Sequence, residues 1–106
     1  MALPQSDKAR RLMLDDKFKS IAGVHVYYQP PESVKMQYPA IRYERSRIDI
    51  KSADNIPYLR NVAYQVTVID KDPDSPIVEA VSKFEGAIFN RHYTSNNLNH
   101  DVFIIY

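Results

Sequence analysis

Apolar and polar positions alternate without a break between Val62 and Val68. Val62, Tyr64, Val66 and Val68 fall on one side, and Ala63, Gln65 and Thr67 on the other. A period of two marks a strand with one buried face. The pattern extends from about Tyr58 to Ile69, longer than the usual five or six residues or so. The stretch that precedes it, "RIDIKSADNIPYLRN" from Arg47, is different: apolar residues are few and charges crowd both sides. Ile41 and Tyr43 share one parity and Ile48 and Ile50 the other, so a strand through both must change its facing once. A bulge near Glu44–Arg47 would do that; alternatively the strand leaves the core near Tyr43 and the rest projects. "SADNIP" then turns the chain. Two long strands with a polar far end predict a hairpin that overhangs the core.

The remaining pattern fills in the other elements. "SDKARRLMLDDKFKSIAG" reads as a helix with Ser6 or Asp7 as its cap and Gly23 as its stop. Ala9, Leu12, Met13 and Ile21 fall near one face, with Leu14 and Phe18 off it. "VHVYY" (Val24 to Tyr28) is a short strand, broken by the prolines of "QPPES". Tyr38–Pro39 reads as an extended step into the next strand. In "DKDPDSPIVEAVSKFEG", Ser75 suits an N-cap and Pro76 the first helical position. Ile77, Val78, Val81 and Phe84 form that helix's apolar face, and Gly86 ends it. Asp72 and Asp74 sit at its positive end. Two strands close the chain, Ala87 to Tyr93 and Asp101 to Tyr106, joined by "TSNNLNH".

The order is therefore α-β-β-β-α-β-β over one domain spanning residues 1–106, without repeat or linker. The class is α+β: a mixed or antiparallel sheet with a long protruding hairpin and two helices. The expected core is Val24, Val26, Ile41, Tyr43, Val62, Tyr64, Val66, Val68, Ile77, Val81, Phe84, Phe103 and Ile105.

Composition narrows the chemistry. The 106 residues include no cysteine, which removes disulfides and thiolate metal sites and fits a reducing compartment. No apolar run approaches the roughly 20 residues of a membrane span, and "MALPQSDKARR" has no signal-peptide apolar core. A soluble intracellular product is expected. The net charge of +1 gives no bulk attraction for nucleic acid. Local charge is uneven: Ile41 to Arg60 carries a net +2 and Ile69 to Gly86 a net −3. Such segments are either ordinary solvated faces or two complementary surfaces of an oligomer.

Motifs for catalysis are weak. The three histidines have no metal-ligand spacing, although a hairpin could bring His92 and His100 together beside Asp101. Asp49-Ile50-Lys51 resembles the D-x-K strand signature of some metal-dependent nucleases. Its only nearby carboxylates, Glu44 and Asp54, have the wrong spacing for a Mg²⁺ site. There is no nucleophile elbow. "DPDSP" lacks the central glycine and terminal glutamate of a calcium loop. Eight tyrosines and a basic hairpin could stack bases, but glycine occurs only at positions 23 and 86, unlike an RNA-recognition sheet. No catalytic residue, metal or cofactor is assigned.

One likeness remains. "VYYQPPESVKMQYPAIRYERSRIDIKSADNIPY", "YQVTVIDKDPDS" and "NRHYTSNNLNHDVF" resemble the small neck proteins of tailed bacteriophages, the tail terminator and tail completion proteins. The likeness runs from about Val24 to the C-terminus, and the element order is similar too. It implies a non-enzymatic virion protein, assembled in the host cytoplasm and located at the tail or neck. It implies a homo-oligomeric ring, commonly a hexamer, that stops polymerisation of the tail tube and joins it to the head-side connector, with DNA passing through. The rivals are a small nucleic-acid-binding module using the basic hairpin and, behind it, a nuclease built on Asp49 and Lys51.

The ring reading gives the charged segments a use. Arg45, Arg47, Lys51, Asp54 and Tyr58 on the hairpin, and Asp70, Asp72 and Asp74 in the acidic loop, are the expected subunit or partner contacts. The acidic loop of one subunit would face the basic stem of the next.

Overall fold

A computed structural model describes the backbone of residues 7–53 and 56–106 and the side chains of residues 8–46 and 62–106. The elements follow the expected order: α1 (Asp7–Lys19), β1 (His25–Tyr28), β2 (Ala40–Ala53), β3 (Ile56–Asp70), α2 (Pro76–Ser82), β4 (Ala87–Ser95) and β5 (Leu98–Ile105). The strands form one mixed sheet in the order β1-β2-β3-β5-β4. β1 runs parallel to β2, and every other pairing is antiparallel. The fold is α+β.

Both helices pack on one face. Cross-strand register puts Val26 beside Ile41 and Ile41 beside Val68, Tyr43 beside Val66, and Val66 beside Phe103. These strand residues join Phe18 of α1 and Ile77 and Val81 of α2 in one buried cluster, with Val24, Val26 and Phe84 packed against it. Every residue of the expected core is therefore in or against it.

β2 and β3 stay paired from Ala40↔Ile69 to Ala53↔Ile56, with a register shift between Arg45 and Arg47. The change of parity along β2 is thus made by a bulge, one of the two readings the sequence allowed. β1 accompanies β2 only as far as Tyr43, and β5 accompanies β3 only from Tyr64 to Asp70. From Arg47↔Ala63 outward, β2 and β3 pair only with each other among the described strands. At about 3.3 Å per residue this two-stranded arm runs roughly 20 Å beyond the sheet.

Several local expectations change. Phe18 is fully buried, while Leu12 and Met13 are 44% and 49% exposed. The face of α1 that meets the sheet is Arg11, Leu14, Asp15 and Phe18, the i, i+3, i+4, i+7 set. The apolar count misread it because two charged residues on that face make specific polar contacts. The Tyr38–Pro39 bond is cis, not the extended step expected. α2 ends at Ser82, and Gly86 instead makes the turn into β4. Gly86 has φ +80°, and a Cβ there would meet the Tyr106 carbonyl oxygen at 3.0 Å, so glycine fits for two reasons. The last hairpin is longer than expected: Ser95 pairs with Leu98, and Asn96 and Asn97 both take positive φ. That is the geometry of a two-residue I′ turn.

The second face of the sheet also holds buried residues outside the expected core: Ala40, Ala63, Ile69 and Val102. The crossover between β1 and β2 lies over part of this face. Pro30, Pro31, Val34 and Met36 line a cavity of about 310 Å³ whose sheet side includes Arg42, Gln65, Thr67 and Ile69.

Candidate interaction surfaces

The root of the arm is tied to α1. Arg10 donates from Nη1 to the Val62 carbonyl at 2.7 Å, two residues beyond the last β3–β5 pair, Tyr64↔Ile105. Its guanidinium also lies 5.8 Å from the centre of the Tyr64 ring. One turn on, the Tyr43 hydroxyl donates to Asp15 Oδ1 at 2.6 Å, and Lys19 Nζ stands 2.7 Å from Asp15 Oδ2. Burial works against the Asp15 carboxylate, but the hydrogen bonds from Lys19 and Tyr43 outweigh it and hold its pKa below the usual value. Burial, and then the neighbouring Asp15, push the Tyr43 phenol well above its ordinary pKa, so the hydroxyl remains a donor. Arg11 lies over Tyr28 at 4.3 Å. A helix with little apolar surface is thereby fixed over β1, β2 and the start of the arm. The signal for this in the sequence is the 11-15-18 spacing and the i, i+4 pair Asp15–Lys19.

The acidic loop is built by its own carboxylates. Asp70 Oδ1 accepts from the Asp72 amide at 3.1 Å, and Asp72 Oδ1 from the Asp74 amide at 2.9 Å. Asn99 Nδ2 donates to the Asp70 and Lys71 carbonyls at 3.3 Å. Ser75 Oγ then accepts from Ile77 and caps α2, as its position predicted. Asp72 and Asp74 are exposed.

The residues expected at the subunit contact are divided between the acidic loop and the arm, whose root is at Arg45. Asp70 pairs with Asn99 at one end of β3, and Arg45 pairs with Tyr64 six positions along, a separation of roughly 20 Å. Arg45 is exposed, and its amide donates to Gln29 Oε1 at 3.3 Å. Arg47, Asp49, Lys51 and Tyr58 lie on the arm with side chains outside the described residues, and Asp54 lies outside the described residues altogether.

The histidines are separated. His92 pairs with Asp101 and meets its Oδ1 at 2.8 Å, whereas His100 pairs with Tyr93 and stacks on it at 4.6 Å. Successive residues of a strand face opposite ways, so the hairpin places His92 and His100 on different faces and does not bring them together. Among the described residues no group of three metal-ligating side chains converges, and no helix is long and apolar enough to cross a membrane.

The remaining feature is the pair of sheet edges. Among the described strands, β1 and β4 each have a partner on one side only. β4 is the more apolar of the two in its exposed surface: Ile88 is 57% and Phe89 54% exposed, and Tyr93 is exposed as well. Neither proline nor lysine guards it. Compared with known proteins, the chain matches no family model and no curated protein.

Proposed function

We propose that this chain is a tail-terminator or neck subunit of a tailed phage. It forms a ring, in the simplest case a hexamer, on the head-proximal end of the tail tube. There it stops tube growth and offers a surface to the head-side connector while DNA passes through. It acts by contact and not by catalysis. The observation that carries the reading, together with the resemblance in the sequence, is the arm: a ribbon of about 20 Å whose two strands, among the described strands, pair only with each other. A monomer gains little from such an extension, since an isolated two-stranded ribbon is marginal in water. A ring subunit must reach neighbours, a tube and a connector. A head-to-tail contact repeated by rotation closes such a ring.

The test is to shorten the arm tip between Lys51 and Pro57. Far-UV circular dichroism and the melting temperature should stay near wild type, while electron microscopy should show tails of uncontrolled length or unjoined heads. A shortened protein that unfolds would make the tip part of the fold and remove the argument. DNA binding that weakens steeply with salt would favour the nucleic-acid module instead. Mg²⁺-dependent cleavage lost in Asp49→Ala would favour the nuclease.

A further inference from the structure

We infer that the β4 edge of one copy adds, antiparallel, to the β1 edge of a second copy, so that the five-stranded sheet continues across the subunit boundary. The inference rests on the ring reading for its head-to-tail arrangement, and names the strands that make the contact.

Direction comes first. β1 runs with β2, and β3, β5 and β4 then alternate, so β4 and β1 are antiparallel across the sheet. Copies placed edge to edge with the same faces aligned therefore meet in an antiparallel junction, the more stable ladder.

Hydrogen-bonding capacity comes second. The His25 amide donates to the Pro39 carbonyl and the Gln29 amide to the Tyr43 carbonyl, so these positions face β2. Alternation turns the backbone groups of Val26 and Tyr28 toward the open edge. β4 has β5 on one side and no strand on the other.

Side chains come third, and they select the occupant. Phe89 shares the helix-bearing face with Phe103, whose ring centre is 5.5 Å away, yet it stays half exposed. At the opposite edge, Arg10 reaches β3 and Arg11 lies over Tyr28 of β1. A helix turns about 100° per residue. The step from Arg10 through Arg11 to Leu12 therefore carries Leu12 to the outer, β1 flank of α1. There Leu12 is exposed, on the same face of the sheet as Phe89. A second copy docked by its β4 edge would set Phe89 against Leu12. Main-chain bonds would give the junction its geometry and this pair much of its apolar contact.

The chain has no cysteine, so engineered thiols report the contact without interference. His25 is exposed on the face opposite the helices, as are Ile88, Arg91, Tyr93 and Ser95 by register. His25→Cys is combined in turn with Ile88→Cys, Arg91→Cys, Tyr93→Cys and Ser95→Cys, which spans the registers that match faces. Oxidation of at least one pair should give a ladder of covalent multimers that collapses on reduction, while each single variant stays monomeric on a denaturing gel. Phe89→Glu should abolish association with an unchanged circular dichroism spectrum. No ladder from any pair overturns the inference, as does a covalent dimer from a β4 cysteine alone, which would mean two β4 edges meeting. Rings seen by electron microscopy without a ladder would leave the ring reading standing and remove the edge contact. A ladder of open chains that never close would do the reverse.

Discussion

The hydroxyl of Tyr43 donates to the carboxylate of Asp15 at 2.6 Å beneath α1, and both residues are buried. Tyr43 sits at the centre of an aromatic group, with ring centres of Phe18, Tyr28 and Tyr64 at 5.2, 4.8 and 6.3 Å. The polar bond fixes the helix where aromatic packing alone would allow it to slide.

The Asp15 contact should make stability depend on acid pH. Its pKa is depressed in the folded chain, so the unfolded chain binds this proton more readily. The contribution is complete above the ordinary carboxylate pKa of about 3.9. It is lost as pH falls from there through the lower folded value. Asp15→Ala should cost about 1.5–3 kcal/mol at pH 7, the scale of a hydrogen bond to a charged group. The difference from wild type should shrink toward pH 2. Urea titrations at both pH values check it; a gap that is constant with pH would rule out the charge as its source.

Arg10 should hold the arm's root. Arg10→Met keeps the aliphatic stem but removes the bond to the Val62 carbonyl and the cation over Tyr64. A loss of about 1–2 kcal/mol is expected. Amide exchange should rise most around Val62, where no β5 partner follows, and little at Val66 or Val68. Hydrogen-exchange mass spectrometry reads the contrast.

Val66 is fully buried and paired with both Tyr43 and Phe103. Val66→Ala should lower stability by about 1–3 kcal/mol. Thr67→Val, on the opposite face and paired with Arg42 and Val102, should have a smaller effect. Denaturant midpoints of the two variants compare the faces directly.

Strand parity was the most legible part of the sequence. Val62, Tyr64, Val66 and Val68 share one parity and one face, and the parity conflict between Tyr43 and Ile48 pointed to the bulge found between Arg45 and Arg47 as one of two readings. The cap at Ser75 was legible for the same reason: its cause is local. α1 was not, because Leu12 and Met13 look like core while Arg11 and Asp15 do not. Only Tyr28 and Tyr43, distant in sequence, explain why charges face the sheet. The parallel β1–β2 pairing and the order that leaves β4 at an edge are likewise long-range facts. So nothing local to Ile88 and Phe89 marks them as exposed residues of an edge strand. The charged segments were legible as composition, but the separation of roughly 20 Å along β3 between Asp70 and Arg45 was not.

That separation sharpens the test of charge at the proposed subunit contact. The acidic loop at one end of β3 should face the basic stem around Arg45 of the next copy. Asp70 and Asp72 are poor probes alone, since each carboxylate accepts a backbone amide and its loss would deform the loop. Asp74 is the cleaner one: it is exposed, and its amide rather than its carboxylate takes part in the turn. Exposed ion pairs are worth only about 0–1 kcal/mol each, so charge aligns the subunits more than it holds them. Asp74→Lys should therefore slow assembly and weaken it several-fold at low salt, with little effect on melting. Arg45→Glu in the same chain should restore part of the loss. Raising the salt should bring the single variant and wild type together, because screening removes the term in which they differ. Sedimentation velocity at two salt concentrations decides it: a single variant that assembles like wild type at low salt would remove this pairing and leave the strand-edge contact to be judged by its own cross-links.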